Sequence, residues 1–371
     1  MRLASIPLIF CAAMAVPVGS GAPQLPDGLY AEIRTSKGLI VARLEAERAP
    51  MTVANFVGLA EGTIANDAFD PGVPYYDGTI FHRVVPGHVI QAGAPAPERS
   101  SARGPGYVFP NEIHADLSHD HAGALGMANS GPHTNSAQFY ITLGDRSYLD
   151  GDYPVFGEVV EGLDVVNRIE QGDLVETVTI VRAGDAARAF EAGTESFQAL
   201  VEKARARVED DAADRVRLEL EYVRLNHPEA SSGAEGLRYA VRRAGEGELV
   251  QAGDRLQVRY VGTALRYRGH MLGMSGPLFE EVRFGSAADG APQLLDGTAE
   301  AEAFEYEVGV TRVNPGFDAS IAAMRAGEQR LVIVPAAAAY GERGHYGPSV
   351  AGLRRFVISP NTLLIYAIEI R

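Results

Sequence analysis

The stretch Phe81-His82-Arg83-Val84-Val85-Pro86-Gly87 is answered further along the chain by Gln138-Phe139-Tyr140-Ile141. Taken alone, an arginine beside an aromatic reads as a surface residue laying its stem along a ring. The ordered surroundings change that reading. Upstream, Leu39-Ile40-Val41-Ala42-Arg43-Leu44 follows the Lys37-Gly38 turn as a strand. Next, Pro50-Met51-Thr52-Val53-Ala54-Asn55-Phe56-Val57-Gly58-Leu59 reads as a helix with proline in its first turn. Downstream, Val155-Phe156-Gly157-Glu158-Val159-Val160 and residues 175–181 supply late strands, and residues 163–170 a second helix stopped by Gly172. The sum predicts an antiparallel barrel with a helix near each end.

In this order the motifs resemble the cyclophilin family of prolyl cis/trans isomerases, over residues 28–184. The resemblance implies a mainly β fold, a closed antiparallel barrel with two helices. Rotation about an Xaa-Pro bond faces a barrier of about 18–20 kcal/mol set by amide resonance. Lowering it needs no nucleophile, metal or cofactor, only a dry pocket for the ring, anchors for the flanking chain and a donor aimed at the prolyl nitrogen. The resemblance makes Arg83 that donor, Gln91 and Gln138 its orienting partners, and the backbone of Asn129, in Met127-Ala128-Asn129-Ser130-Gly131-Pro132, the substrate anchor. Phe81, Ala128, Tyr140 and Leu149 match positions around the proline pocket. Three departures stand out: His88-Val89 where Phe-Met is usual, Tyr148 where many members have tryptophan, and Tyr153 for a common histidine. They make one wall smaller and more polar and imply weak cyclosporin sensitivity. The run containing His114, His119 and His121 raises a metal-dependent hydrolase as a rival. Similar histidine-containing segments occur here in the family without metal, which favours a loop or structural role.

A second pattern begins after Ser231-Ser232-Gly233. Leu256, Val258 and Tyr260 alternate with polar residues, as do Phe304, Tyr306 and Val308, the period of half-buried strands. Phe317, Ile321 and Met324 share a helical face after Asn314-Pro315-Gly316, and Leu331-Val332-Ile333-Val334 and residues 363–370 read as further strands. The motifs Val258-Arg259-Tyr260-Val261-Gly262-Thr263, Phe279-Glu280, Phe304-Glu305-Tyr306, Ala339-Tyr340-Gly341 and Ile358-Ser359-Pro360-Asn361 resemble the FKBP family of prolyl isomerases over residues 234–371. That resemblance implies an antiparallel sheet wrapped on one helix. It also implies an apolar cup of Tyr260, Phe279, Glu280, Phe304, Tyr306, Val313, Asn314, Phe317, Tyr340, Ile358 and Tyr366. Such a cup acts by desolvating the amide, since the charge-separated resonance form is disfavoured in an apolar medium. Glu280, Asn314 and Phe317 replace the usual aspartate, aliphatic residue and tryptophan. Insertions at residues 267–277, 283–301 and 346–356 are expected to surround this cup.

Between the two, residues 186–228 form a helical linker. Phe197, Val201, Ala204 and Val208, then Val216, Leu220 and Val223, fall at spacings of three or four and predict an amphipathic helix, single or broken near Asp210-Asp211, ending at Asn226-His227-Pro228. Two destinations for its stripe stay open: a neighbouring domain, or self-association and client binding through residues 195–226.

At the other end, Met1-Arg2, an apolar run at residues 3–18 and Gly19-Ser20-Gly21-Ala22 have the layout of a secretory signal, residues 1–22. The run is shorter than the roughly 20 residues a membrane span needs. Cys11, the one cysteine, raises a lipid-anchor alternative, though Phe10 stands where such signals need a small residue. A chain cut after Cys11 has no thiol, which excludes disulfides and zinc–thiolate sites. A net charge of −15 opposes phosphate contacts and so nucleic-acid binding. The expectation is an exported, periplasmic or secreted isomerase with two unrelated isomerase-like domains. It would accelerate proline-limited folding of proline-containing clients. The rival is a chaperone or scaffold whose FKBP-like domain binds without turnover.

Overall fold

The computed structural model describes residues 25–95, 104–295, 299–347 and 356–371. The expected leader lies outside these residues, as do parts of the 283–301 and 346–356 insertions.

The first sheet has nine strands: β1 (Gly28–Thr35), β2 (Gly38–Leu44), β3 (Thr79–Ile80), β4 (Arg83–Val85), β5 (Val89–Ala92), β6 (Ala124–Met127), β7 (Phe139–Thr142), β8 (Val155–Glu161) and β9 (Leu174–Ala183). They are ordered β3-β9-β1-β2-β8-β6-β7-β5-β4, with every ladder antiparallel. The expected barrel is therefore a curled sheet whose hydrogen-bonded path ends at β3 and β4. Only Phe81-His82 separate these two strands, which pair with β9 and β5 and not with each other, so the chain itself carries one edge over to the other.

Helix α1 (Pro50–Glu61) is buried on almost every side, as an all-round apolar helix must be. Phe56 packs within 5.0–5.4 Å of the rings of Tyr76, Phe139 and Phe156. Its first turn borrows a distant cap: the amides of Met51 and Thr52 donate to the Glu112 carboxylate at 3.1 and 2.7 Å. Helix α2 (Leu163–Val166) is a single turn, shorter than the 163–170 expectation. The reason is local, because the Asp173 carboxylate takes the Glu170 N–H and pulls the chain into a turn.

After α3 (Asp185–Arg188), helix α4 (Thr194–Asn226) runs unbroken through Asp210-Asp211 for 33 residues, about 50 Å. Its first half buries Phe197 and Val201 in the first core, with Phe197 against Tyr107 and Phe109. Its second half lays Val223 against Leu265, Leu331, Ile333 and Leu363 on the outer face of the second sheet. The stripe is thus buried on both neighbouring domains. Val216 and Leu220, however, are exposed, and Glu219 is buried instead. A continuous helix turns about 100° per residue. Carried on from Phe197, that rotation brings Arg215, Glu219 and Tyr222 to the packed side and turns Val216 and Leu220 outward.

The second sheet comprises β10 (Ser231–Ser232), β11 (Arg238–Arg243), β12 (Arg255–Tyr267), β13 (Phe279–Ser286), β14 (Pro292–Leu294), β15 (Phe304–Glu307), β16 (Gln329–Val334) and, later in the chain, β19 (Leu363–Ile370). Its order is β10-β11-β16-β19-β12-β13-β14, with β15 on β12. Helix α5 (Pro315–Ala322) lies against it, capped by the Asn314 side chain, which accepts from Phe317 N at 3.0 Å. A separate ribbon pairs β17 (His345–Tyr346) with β18 (Phe356–Ile358).

The 267–277 insertion does not rim the second domain's own cup. It reaches the first domain, where Leu272 N donates to Ile113 O at 2.7 Å and Ala115 N to Leu272 O at 2.9 Å. Arg207 of α4 donates to His270 O at 3.0 Å, and Arg266 faces Asp152 at 3.6 Å. The insertion is a clamp between domains.

Candidate active sites

In the first domain the β4–β5 register sets Arg83 opposite Gln91, and the β5–β7 register sets Gln91 opposite Tyr140. Neighbouring side chains on one sheet face then form a chain. Arg83 Nη1 donates to Gln91 Oε1 at 3.1 Å, and Gln91 Nε2 donates to Gln138 Oε1 at 2.9 Å. Both amides are thereby oriented, and the guanidinium is held by one nitrogen while the rest of its fork stays available. Asn129 spends its side chain on structure, donating to Asp152 O at 3.1 Å and accepting from Gly131 N at 3.2 Å. What it offers a bound chain is its main-chain amide and carbonyl, which have no partner among the described residues.

Beside this chain lies a small apolar cluster distinct from the main core, made of Val89, Tyr140 and Leu149 with Ala128 and Tyr153 at its edge. These are five of the residues expected around the pocket. Tyr153 meets Tyr140 edge-on at 6.2 Å. His88 and Tyr148 stack 6.0 Å apart at 9° and form the more polar wall. Phe81 is not in this cluster: it is fully buried in the main core.

Burial lowers the Arg83 guanidinium from its ordinary value, with Tyr153 and Tyr148 opposing, but an arginine keeps its charge. Burial, followed by the nearby Arg146 and Arg83, pushes His88 down to about 4. His88 is therefore neutral at pH 7 and adds no charge to the wall beside Arg83.

Sequence reading missed the support beneath Tyr140. Its hydroxyl lies 2.7 Å from Nε2 of fully buried His119, whose Nδ1 lies 2.6 Å from Asp150 Oδ1. The carboxylate keeps the proton on Nδ1, so Nε2 accepts from the tyrosine and fixes the ring at the pocket floor. The three histidines do not converge. His121 sits against Asp120 and His114 accepts from Asp116 N, and no metal-binding group of His, Cys, Asp or Glu occurs among the described residues. A signal for His119 exists only in hindsight, since its partners are 21 and 31 residues away.

In the second domain Tyr260, Phe304, Tyr306, Phe317, Ile358 and Tyr366 enter one core. Tyr260 contacts Phe317 at 5.1 Å and Tyr366 at 5.3 Å, and Phe317 contacts Tyr366 at 5.3 Å. Asn314 Nδ2 donates to the Tyr366 hydroxyl at 2.8 Å while its Oδ1 caps α5, so this polar departure is fully employed. Tyr306 donates to Asp318 at 2.9 Å and Tyr260 to Gly290 O at 2.9 Å. The Tyr340 hydroxyl is buried beside Asn314 and Tyr366 without a well-formed hydrogen bond.

Phe279 and Glu280 are not brought into the cup. Phe279 packs on Tyr222 and Tyr267 at 5.7 Å, on the sheet face covered by α4, and Glu280 is exposed near Arg266. The ring that β13 sends into the cup is Phe284, 5.3 Å from Tyr366 and 6.1 Å from Tyr260. Phe279 and Phe284 are five positions apart, an odd number, so a strand puts them on opposite faces. Alternation counted from Phe284 would have identified it. The cup is filled by its own rings: of the expected residues that reach it, only Val313 and Tyr340 are half-buried rather than buried.

The family profile described as cyclophilin type peptidyl-prolyl cis-trans isomerase matches residues 30–185, and that described as FKBP-type peptidyl-prolyl cis-trans isomerase matches residues 246–371. Peptidyl-prolyl cis-trans isomerase ppi1 of Schizosaccharomyces pombe is 48% identical over 143 residues, which is 37% of this chain and 83% of that protein. Peptidyl-prolyl cis-trans isomerase A of Mycobacterium tuberculosis is 44% identical over 35% of this chain and 73% of its own length. Human peptidyl-prolyl cis-trans isomerase-like 1 is 39% identical over 43% and 92%. A crystal structure of a Cryptosporidium parvum cyclophilin-type isomerase aligns at 26% identity with a TM-score of 0.36, covering 42% of this chain and 98% of that one.

Proposed function

This chain belongs to the cyclophilin family of peptidyl-prolyl cis/trans isomerases and carries an FKBP-type isomerase domain on the same polypeptide, and from that premise we propose that it accelerates proline-limited folding of exported proteins, with turnover centred on Arg83. The observation that carries the reading is the Arg83–Gln91–Gln138 chain beside a separate apolar cluster. A proline ring in the cluster brings its amide past the guanidinium. As the bond twists, resonance is lost and the prolyl nitrogen gains a lone pair, which a charged donor stabilises more than it does the planar amide. One such hydrogen bond supplies roughly 1.5–3 kcal/mol. Replacing Arg83 with alanine is therefore expected to lower kcat/KM for Xaa-Pro peptides about tenfold to a hundredfold with peptide binding retained. Undiminished turnover by Arg83→Ala would remove Arg83 from the role.

A second reading is favoured for the FKBP-type cup: it holds proline segments and turns them over slowly. Support comes from the near-complete burial of Tyr260, Phe284, Phe304, Tyr306, Phe317 and Tyr366, which an occupant must displace. Turnover by Arg83→Ala in excess of the first site's own expected remainder, about one-tenth to one-hundredth of its rate, reports this site.

Export rests on the apolar run at residues 3–18 followed by small residues. Fractionation of the producing cell with N-terminal sequencing tests it: a processed N-terminus after residues 20–22 outside the cytoplasm is expected, and an intact one inside would refute it. Exposed Val216 and Leu220 are the part of α4 open to a second copy, and the solution mass decides that point.

A further inference from the structure

Three observations place the second domain at the rim of the first domain's pocket. Tyr148, whose ring stacks on His88, also lines a cavity of about 300 Å³ shared with Arg266, Arg268, Glu280 and Phe356 of the second domain. Phe356 stacks on Tyr346 with centroids 4.0 Å apart. Tyr346 in turn lies close enough to Tyr153, at the edge of the first pocket, to help raise that phenol to about 12, after burial. The aromatic ribbon β17–β18 thus stands between pocket and cavity.

The charges lining the cavity are almost all engaged. Asp150 holds His119, Arg266 faces both Asp152 at 3.6 Å and Glu280 at 3.8 Å, and burial keeps His270 neutral at pH 7. Arg268 is the exception: it is half-buried, lines the cavity and has no carboxylate within 4.0 Å among the described residues. A partly desolvated guanidinium without a counter-charge among the described residues is a site for a carboxylate, and against a net charge of −15 it is a local feature rather than part of a basic field. A volume of about 300 Å³ is at the small end for a ligand site and suits one side chain with its backbone.

We propose that the client site of the first domain continues across the domain boundary into this cavity, and that Arg268 there binds an acidic residue of the polypeptide whose proline occupies the first pocket. The proposal builds on the isomerase reading above.

The test uses the full chain and synthetic proline peptides in which a single glutamate, or glutamine in its place, is moved position by position along either side of the proline. One position is expected to give kcat/KM about fivefold higher for glutamate than for glutamine. In Arg268→Glu that preference disappears and a lysine at the same position becomes the better residue. Equal rates for glutamate and glutamine everywhere, or a glutamate preference that survives Arg268→Glu, would overturn the proposal. Should Arg268→Glu not fold, Arg268→Gln is expected to flatten the preference, and its persistence counts against the proposal equally. Failure of the wild-type chain to turn over any of the peptides would refute the isomerase reading instead. Anisotropy of the same labelled peptides would then still show whether the cavity selects a carboxylate.

Discussion

Tyr140 shows how one pocket ring is held in place. Its hydroxyl is tied to His119, and across the β6–β7 ladder its ring occupies the space left by Gly126. A Cβ at Gly126 would fall 2.3 Å from the Tyr140 ring. Gly126→Ala should therefore push the ring off its anchor, lowering stability by about 1–3 kcal/mol and weakening peptide turnover. Thermal unfolding with kcat/KM on the same preparation checks this, and wild-type values in both would mean the ring has room to move. The residue types at the site were legible, because arginine, glutamine and aromatics in that order carry the chemistry. The Asp150–His119–Tyr140 connection was not, because a histidine among other histidines gives no sign of being buried.

Among the elements, α4 shows what periodicity can and cannot say. Helix type and extent follow from the spacing of Phe197, Val201, Ala204 and Val208, yet beyond residue 210 only Val223 of the expected stripe is buried. Hydrophobicity pointed to Val216 and Leu220, whereas helical rotation puts Glu219 inside. Burial, opposed by Arg215 at 3.6 Å, raises the Glu219 carboxyl to about 7. The folded protein then binds a proton there that the unfolded chain releases between about pH 4.5 and 7, so stability falls as pH rises through that window. Glu219→Gln is expected to raise the unfolding free energy at pH 7.5 by about 1–3 kcal/mol and by less at pH 5. Denaturant titrations at the two values test it, and a gain independent of pH would rule out the ionisation account. Strand β13 carries the same lesson, since a one-residue parity separates Phe279 under α4 from Phe284 in the cup.

At the scale of the whole molecule, the two domains are held by the 267–277 clamp, by α4 and by Arg266. Burial raises the Asp152 carboxyl, with Arg266 opposing it. Removing the guanidinium leaves that carboxylate without its partner at a closed boundary. Arg266→Met should cost about 1–3 kcal/mol, with Asp152→Asn in the same chain recovering part of the loss. Thermal unfolding of the four proteins of this cycle measures the coupling, and additive losses would show the pair to be idle. Local sequence was enough for the two isomerase-type domains, most of their strands and helices and the grouping of Arg83 with Gln91 and Gln138. Those depend on alternation, turn residues and side-chain type within short windows. The face that α4 buries, the ring β13 sends into the cup and the placement of one domain's insertions on the other's pocket depend on distant segments meeting. Those outcomes are set by rotation along a long helix, strand parity and packing between surfaces, which only the assembled chain resolves.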